Sequence, residues 1–299
     1  MSKAIHDATA QMTVVPRRHY LRWLSAALVI AFLVWLGISF AQGQIRWAVV
    51  AQFMTASVLI KGLGIAMALT LTSMALGLVM GVLSAVMRLS ENPVTRTVAW
   101  FYVWVFRGTP VYLQLLMWFN LALIFPVVII PGLGNVAMTD LLQPFTAATI
   151  ALGLNQGAYT SEVVRAGLLS VDEGQREASY ALGMTSGQTL RKIVIPQAMR
   201  VIIPPIGNEF IGMVKTTSLA SAIGVTEILT EAQHIYYVNS RVMELLIVCA
   251  VWYLAATTVL NIGQYYIERH YAKGATSRAL PPTPVERIKS VFGVRGTAE

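Results

Sequence analysis

The sequence predicts an all-α, polytopic membrane protein. Of its 299 residues, 56% are hydrophobic and only 12% are charged. The hydrophobic residues gather into several runs of about twenty, the length a helix needs to cross the hydrocarbon core of a bilayer. Lys and Arg collect in alternate connections between those runs. The +8 formal charge is therefore a one-sided loop bias and not a nucleic-acid surface.

Taken in order, residues 1–20 carry Lys3, Arg17 and Arg18 and are expected as a cytoplasmic arm. Residues 21–41 form the first apolar run. A cleaved signal peptide also places basic residues ahead of an apolar stretch. This run is long for that, and Ser39-Phe40-Ala41-Gln42-Gly43 makes a poor small-x-small site, so a retained span is expected. Residues 42–61 connect it to the second span and include a short surface helix. The second span, residues 62–87, holds Gly77 and Gly81. Their G-x-x-x-G spacing lets helix backbones approach closely, either within the chain or against another subunit.

A basic loop follows at residues 88–96, then an aromatic stretch at 98–106 that suits a membrane interface. Thr109 and Pro110 look like an N-cap and first helical residue. The third span then starts near Pro110 and ends before Pro131; the alternative is one helix from Val98, kinked at Pro110. Residues 131–144 are an outside loop. The fourth span, 145–164, contains Asn155, Gln156, Tyr159 and Glu162. The fifth, 197–214, is polar, broken by Pro204-Pro205, and carries Asn208 and Glu209. Residues 215–221 form an irregular joint at membrane depth, tolerated only against protein or a water-filled cavity. Residues 222–244 make an outer helix and loop, and 245–267 the last span. The basic, Pro-containing tail, 269–299, is expected to be disordered. About six spans with both termini inside fit the distribution of Lys and Arg.

Between the fourth and fifth spans lies a polar knuckle. Ser170 with Glu173, and Thr185 with Gln188, have capping-box spacing. Gly183 stands where the first helix should close through a left-handed residue. A helix over 171–182, a turn at Gly183 and a second helix from Ser186 follow, with Pro196 breaking or kinking the second.

Glu177-Ala178-Ser179, Gly183, Ile193 and Pro196 resemble the EAA loop of the permease subunits of bacterial ABC importers, with Ser179 where Ala is usual. Arg107-Gly108-Thr109-Pro110 with Gln114, Gly157-Ala158-Tyr159 with Glu162 and Arg165, Pro204-Pro205 with Asn208-Glu209, and Lys215-Thr216-Thr217-Ser218-Leu219 resemble the polar amino acid branch. The resemblance covers residues 62–269, which places a type I importer transmembrane domain over 62–268 and leaves 21–61 as an N-terminal addition. It implies a protein of the bacterial inner membrane, a second permease copy or paralogue, a cytoplasmic ATP-binding subunit dimer and an external solute-binding protein. The solute it implies is a polar amino acid or an amino-acid-like molecule such as an opine.

No G-x-x-x-x-G-K-S/T phosphate loop occurs, so ATP is expected on another chain and no cofactor on this one. His6, His19, His234 and His270 are scattered, and neither a metal-ligand cluster nor a Ser/His/Asp set is present; no catalytic residue is expected. Lone Cys249 allows no intrachain disulfide.

A solute path needs polar groups facing inward, since a charge in lipid costs at least about 2.5–3.5 kcal/mol. Asn155, Tyr159 and Glu162 share one helix face; Asn208, Gly212 and Lys215 share another. With Gln114, Glu209, Thr216 and Ser218 they are the candidate path or gate. The alternative for Glu162 is pairing with Arg165, and for Asn208 and Glu209 it is tying a broken helix together. Tyr159 and Gln114 suit support better than direct contact. In the knuckle, Glu173, Arg176 and Glu177 offer charge, and Ala178, Ser179 and Gly183 keep one side small. These residues and Leu182 are the candidate contact with the ATP-binding subunit. A stand-alone secondary transporter or channel is the competing class; it predicts internal repeats and no such knuckle.

Overall fold

The computed structural model describes residues 20–132 and 134–272; the expected N-terminal arm and most of the expected tail lie outside them. The chain divides into two units, Met1–Trp47 and Ala48–Glu299. In the first, α1 (Tyr20–Ala41) buries none of its side chains. A helix apolar on every side is one solvated by lipid or by other helices.

The second unit is built on two long helices. After α2 (Trp47–Met54), α3 (Ser57–Arg88) begins five residues before Gly62, because Lys61 falls on an exposed turn and does not end the helix. The buried residues of α3, from Leu59 through Gly62, Ala66, Leu69, Ser73, Gly77 and Gly81 to Ser84, recur every three or four positions. Of these, Gly77 and Gly81 pack on α7 (Pro144–Leu169), which extends beyond the expected span at its C-terminal end.

Between them, α4 (Pro93–Gly108) is capped by Asn92, whose side chain accepts from Val94 N at 2.9 Å. This shortens the expected basic loop. α5 (Val111–Phe119) is a separate helix. Thr109 and Pro110 are both extended, as the residue before a proline tends to be. Thr109 therefore caps nothing: its hydroxyl donates back to Val105 O at 2.9 Å. A 3-10 turn, Asn120–Leu123, ends the helix well before Pro131. The expected span end and outside loop instead form a hairpin, β1 (Val127–Ile130) and β2 (Gly134–Ala137), paired antiparallel with Val128 opposite Val136. Four consecutive β-branched residues favour a strand over a helix end. A short α6 (Met138–Leu141) leads into α7.

The knuckle comprises α8 (Glu173–Ala181), α9 (Ser186–Thr189) and a π turn, Leu190–Val194, leading into α10 (Ile195–Thr216). The wider π turn lies just ahead of Pro196, where a proline ring needs room. Contrary to expectation, α10 runs unbroken through Pro204 and Pro205. Gln264 on α12 (Val242–Ala272) donates to the carbonyl of Pro204 at 2.9 Å and braces the segment. The joint after α10 is a tight 3-10 turn, Thr217–Ile223, closed by Gly224 at φ 79. α11 (Ile228–Asn239) follows, and α12 extends five residues past the expected span.

By length and composition, α1, α3 and α12 are apolar enough to cross a membrane. With 26 and 22 residues, α7 and α10 reach about 39 and 33 Å but carry the polar side chains. Two apolar cores flank those side chains along α7. Ala147, Ala148, Ala151 and Leu152 join the first, with Leu69, Leu115 and Met213. Val164 joins the second, with Ala85, Val171, Val194 and Ile202.

Candidate functional site

The polar stretch of α7 is fixed in place by glycines. A Cβ on Gly77 would stand 2.9 Å from Gln156 Cγ, and one on Gly81 would stand 2.6 Å from Thr160 Cβ. The G-x-x-x-G spacing thus serves packing within the chain. α7 answers with its own Gly153-x-x-x-Gly157, where a Cβ would meet Leu76 and Met80; the sequence reading did not pair it with α3. Tyr102 of α4 donates to Leu154 O at 2.7 Å from the other side.

Held this way, α7 presents two donors to α10. Gln156 Nε2 and Thr160 Oγ1 donate to Glu209 Oε2 at 2.6 and 3.1 Å. Beside this contact lies a cavity of about 290 Å³, lined by Asn155, Gln156, Tyr159, Glu209, Gly212 and Thr216 and closed by Val111, Leu152 and Met213. The face of α10 that lines it runs Glu209, Gly212, Met213, Thr216, one register step from the expected Asn208, Gly212, Lys215. Asn208 turns toward α12 and donates to Glu268 Oε1 at 3.2 Å. Lys215 is exposed and Ser218 Oγ bonds Lys215 O at 2.7 Å; neither lines this cavity.

Gln114 and Asn155 work on the break between α4 and α5, where carbonyls have lost helical partners. Gln114 Nε2 donates to Phe106 O, Thr109 O and Thr109 Oγ1 at 3.0, 3.1 and 2.7 Å. Asn155 Nδ2 donates to Phe106 O at 2.8 Å and to Gln114 Oε1 at 3.2 Å. Gln114 is thus a buried brace, while Asn155 is both brace and wall.

Two turns beyond Asn155 on α7, Glu162 collects three guanidinium groups. Arg88 reaches it at 2.7 Å, Arg107 at 3.1 Å and Arg165 at 3.0 Å. Pairing with Arg165 was the alternative read from sequence; Arg88 and Arg107 were not foreseen as partners. Arg107 also lies 5.2 Å from the ring centroid of Tyr159. A second cavity, of about 380 Å³, is lined by Arg88, Trp100, Trp104, Arg107, Tyr159 and Glu162. Tyr159, half exposed, is the wall common to both cavities.

The knuckle is tied together by hydrogen bonds at each of its joints. Ser170 ends α7 and bonds back to Gly167 O at 2.8 Å, so it does not cap α8. Asp172 does, accepting from Gly174 N at 2.8 Å, because Val171 is drawn into the second core. The Thr185–Gln188 capping box forms as expected. Gly183 has φ 77. Gly183 N donates to Tyr180 O and Met184 N to Ser179 O, at 2.9 and 3.1 Å, the Schellman pattern that Gly favours. Arg176 bonds Leu168 O at 3.1 Å and tethers α8 to the end of α7. Ser179 is buried and shares a 2.8 Å hydrogen bond with Thr189. It therefore faces into the knuckle, and the outward face is Glu173, Glu177, Ala178 and Leu182, the last 82% exposed.

The sequence reading gave no role to Thr160, Gln156, Arg88 or Glu227. Gln156 and Thr160 stand four apart on one helix face, a legible signal. Nothing in a single sequence links Arg88 to Glu162, 74 positions away. Buried Glu227 caps α11 through Thr230 N and accepts from Tyr253 Oη at 2.7 Å, fastening α11 to α12.

Comparison with known proteins agrees with this arrangement. Residues 77–273 match the family described as binding-protein-dependent transport system inner membrane component. The arginine transport system permease protein ArgU of Corynebacterium glutamicum is 44% identical over 87% of this chain and 83% of its own. The L-cystine transport system permease protein TcyB of Bacillus subtilis is 39% identical over 75% of this chain and 91% of its own. Among solved structures, an amino acid ABC transporter crystallised with histidines matches with a TM-score of 0.65 and 34% identity, covering 74% of this chain and 97% of that one. The chain therefore belongs to the binding-protein-dependent transport system inner membrane components, the multi-pass permease subunits of ABC importers.

Proposed function

We propose that this chain carries a polar amino acid, or an amino-acid-like solute such as an opine, along a path past Tyr159, and that α8 receives the driving motion from a cytoplasmic ATP-binding subunit. The amino acids named for the similar permeases support the solute class. The observation that carries the coupling reading is connectivity. The knuckle joins the end of α7 directly to the start of α10, and these two helices supply Asn155, Gln156, Tyr159, Glu209 and Thr216 to the cavity. A push on α8 therefore reaches both walls of the path.

In this reading the chain works with a second permease copy or paralogue, an ATP-binding subunit dimer and an external solute-binding protein. ATP hydrolysis resides outside this chain, whose sequence has no phosphate loop. It has about six spans and both termini in the cytoplasm, with Arg17, Arg18, Arg88, Arg96, Arg176, Arg191 and Lys192 on the inner side. The outward face of α8, Glu173, Glu177, Ala178 and Leu182, meets the ATP-binding subunit.

The test pairs Glu177→Lys, which reverses an exposed charge, with Gly183→Val, which strains a left-handed residue by about 1–3 kcal/mol. Both variants are expected at normal membrane abundance. Co-purified ATP-binding subunit, or solute-stimulated ATP hydrolysis in reconstituted vesicles, falls at least tenfold. Wild-type coupling in both would refute the role of α8.

A further inference from the structure

The arginine cluster around Glu162 holds more positive charge than the cluster can pair. Arg88 Nη1 and Arg107 Nη1 donate to Glu162 Oε1 at 2.7 and 3.1 Å. Arg165 Nε and Nη2 donate to Oε2 at 3.2 and 3.0 Å. A carboxylate has about four acceptor positions, so Glu162 is filled. Three guanidiniums against one carboxylate leave two positive charges over, and among the described residues these arginines pair with no other acid. Arg107 spends one N–H of its planar fork on Glu162. Its side chain is 42% exposed and lines the cavity of about 380 Å³.

The wall beside that surplus charge is aromatic. Trp100, Trp104 and Arg107 stand at i, i+4 and i+7, on one face of α4. The two indoles stack with centroids 6.0 Å apart and planes 6° from parallel. Both are more than half exposed, and both line the same cavity as Arg107. Tryptophan at a membrane boundary sits with its ring at headgroup level. The position along the helices agrees. Arg88 is the last residue of α3, and Glu162 lies about 10 Å before Leu169, the knuckle end of α7.

We infer that this cavity holds the headgroup of an anionic phospholipid from the leaflet on the knuckle side, its phosphodiester on Arg107 and its glycerol and upper acyl chains along Trp100 and Trp104. A pair of phosphate oxygens matches the guanidinium fork bidentately, and basic pockets between membrane helices are where such headgroups bind. A zwitterionic lipid carries its own cation, which the two surplus charges repel. An anionic lipid brings none. A soluble anion would satisfy the arginines but leave the indoles uncovered.

The test is binding of fluorescent phosphatidylglycerol and phosphatidylcholine of equal chain length to the full-length chain, purified in a neutral detergent with the subunits that co-purify. Wild type is expected to bind phosphatidylglycerol at least about tenfold more tightly. Arg107→Gln, at an exposed position, should lose most of that preference. Arg96→Gln removes the same charge from an exposed position of α4 outside the cavity and should keep it. Glycerol phosphate and inorganic phosphate in excess should not displace the lipid. Equal wild-type affinities for the two lipids, as a second permease copy covering the cavity would give, overturn the inference. An equal loss in both variants also overturns it, by marking diffuse surface attraction, and so does displacement by free phosphate, by marking a soluble anion. The wild-type comparison needs no variant to fold.

Discussion

Gly81→Ala is the sharpest probe of how the helix scaffold holds the site. The added methyl would stand 2.6 Å from both Cβ and Cγ2 of Thr160 and 3.1 Å from Gly157 O. Ordinary carbon contacts lie at about 3.5–4.0 Å, so α3 and α7 must part by close to an ångström or Thr160 must turn. Overpacking of this kind costs about 1–3 kcal/mol. If Thr160 turns, its hydrogen bond to Glu209 at 3.1 Å is lost as well; a bond to a charged group contributes about 1.5–3 kcal/mol. The control is on the same helix: Gly64 has no atom within 4 Å of its Cβ position, so Gly64→Ala should be neutral or slightly stabilising through helix propensity, by at most about 1 kcal/mol. Both variants are compared by thermal unfolding of the detergent-purified complex and by solute uptake in vesicles. Gly81→Ala is expected to lower the midpoint and to slow uptake at least tenfold. If it matches Gly64→Ala in both measurements, the glycine contact does not position Thr160 and the scaffold argument fails.

Three further outcomes follow from the same geometry. Arg88→Ala, which removes the most buried of the three arginine partners of Glu162 (15% side-chain exposure against 42% for Arg107 and 35% for Arg165), should destabilise the complex more than Arg107→Ala, whose loss should cost less than about 1 kcal/mol, as read from thermal midpoints. Lys215→Cys in a Cys249→Ala background should react with a water-soluble thiol reagent in at least one nucleotide state, since an exposed ammonium here faces water or protein and not lipid; protection in every state would refute this. Deleting residues 1–41 while preserving the orientation of α3 should leave co-purification with the ATP-binding subunit intact, because the family match begins only at residue 77 and α1 buries no side chain; loss of the complex despite normal insertion would contradict it.

The sequence exposed most clearly those features whose cause is local. Gly183 closes α8 because a left-handed residue is needed there, and Thr185 with Gln188 caps α9 because the two reach each other across one turn. The expectations that failed were settled at a distance. Ser170 has the spacing to cap α8, but Val171 belongs to the second core, and Asp172 caps instead. Pro204-Pro205 carries a local breaking signal, and bracing by Gln264, 60 positions away, goes with an unbroken helix. The cavity-lining residues were legible as residue types, and the face of α10 was misjudged by one step. Asn208 and Glu209 are adjacent and both polar, and only the positions of α7 and α12 decide that Glu209 looks into the cavity while Asn208 looks away from it.

The same long-range construction puts the knuckle and the cavity on the same two helices. Fourteen residues separate Leu169, the end of α7, from Asn155, and fourteen separate Ile195, the start of α10, from Glu209. At 1.5 Å per residue the cavity lies about 21 Å along either helix from the knuckle. Between those ends the knuckle leaves little slack. Arg176 is bonded to Leu168 O, Ser179 to Thr189, and Met184 to Ser179 O. Under the proposed coupling, a tilt imposed at α8 is expected to move α7 and α10 together, with equal lever arms, about the contact where Gln156 and Thr160 meet Glu209. Packed glycine contacts along α3 resist any intermediate position, because interfaces this tight have discrete arrangements and do not slide continuously.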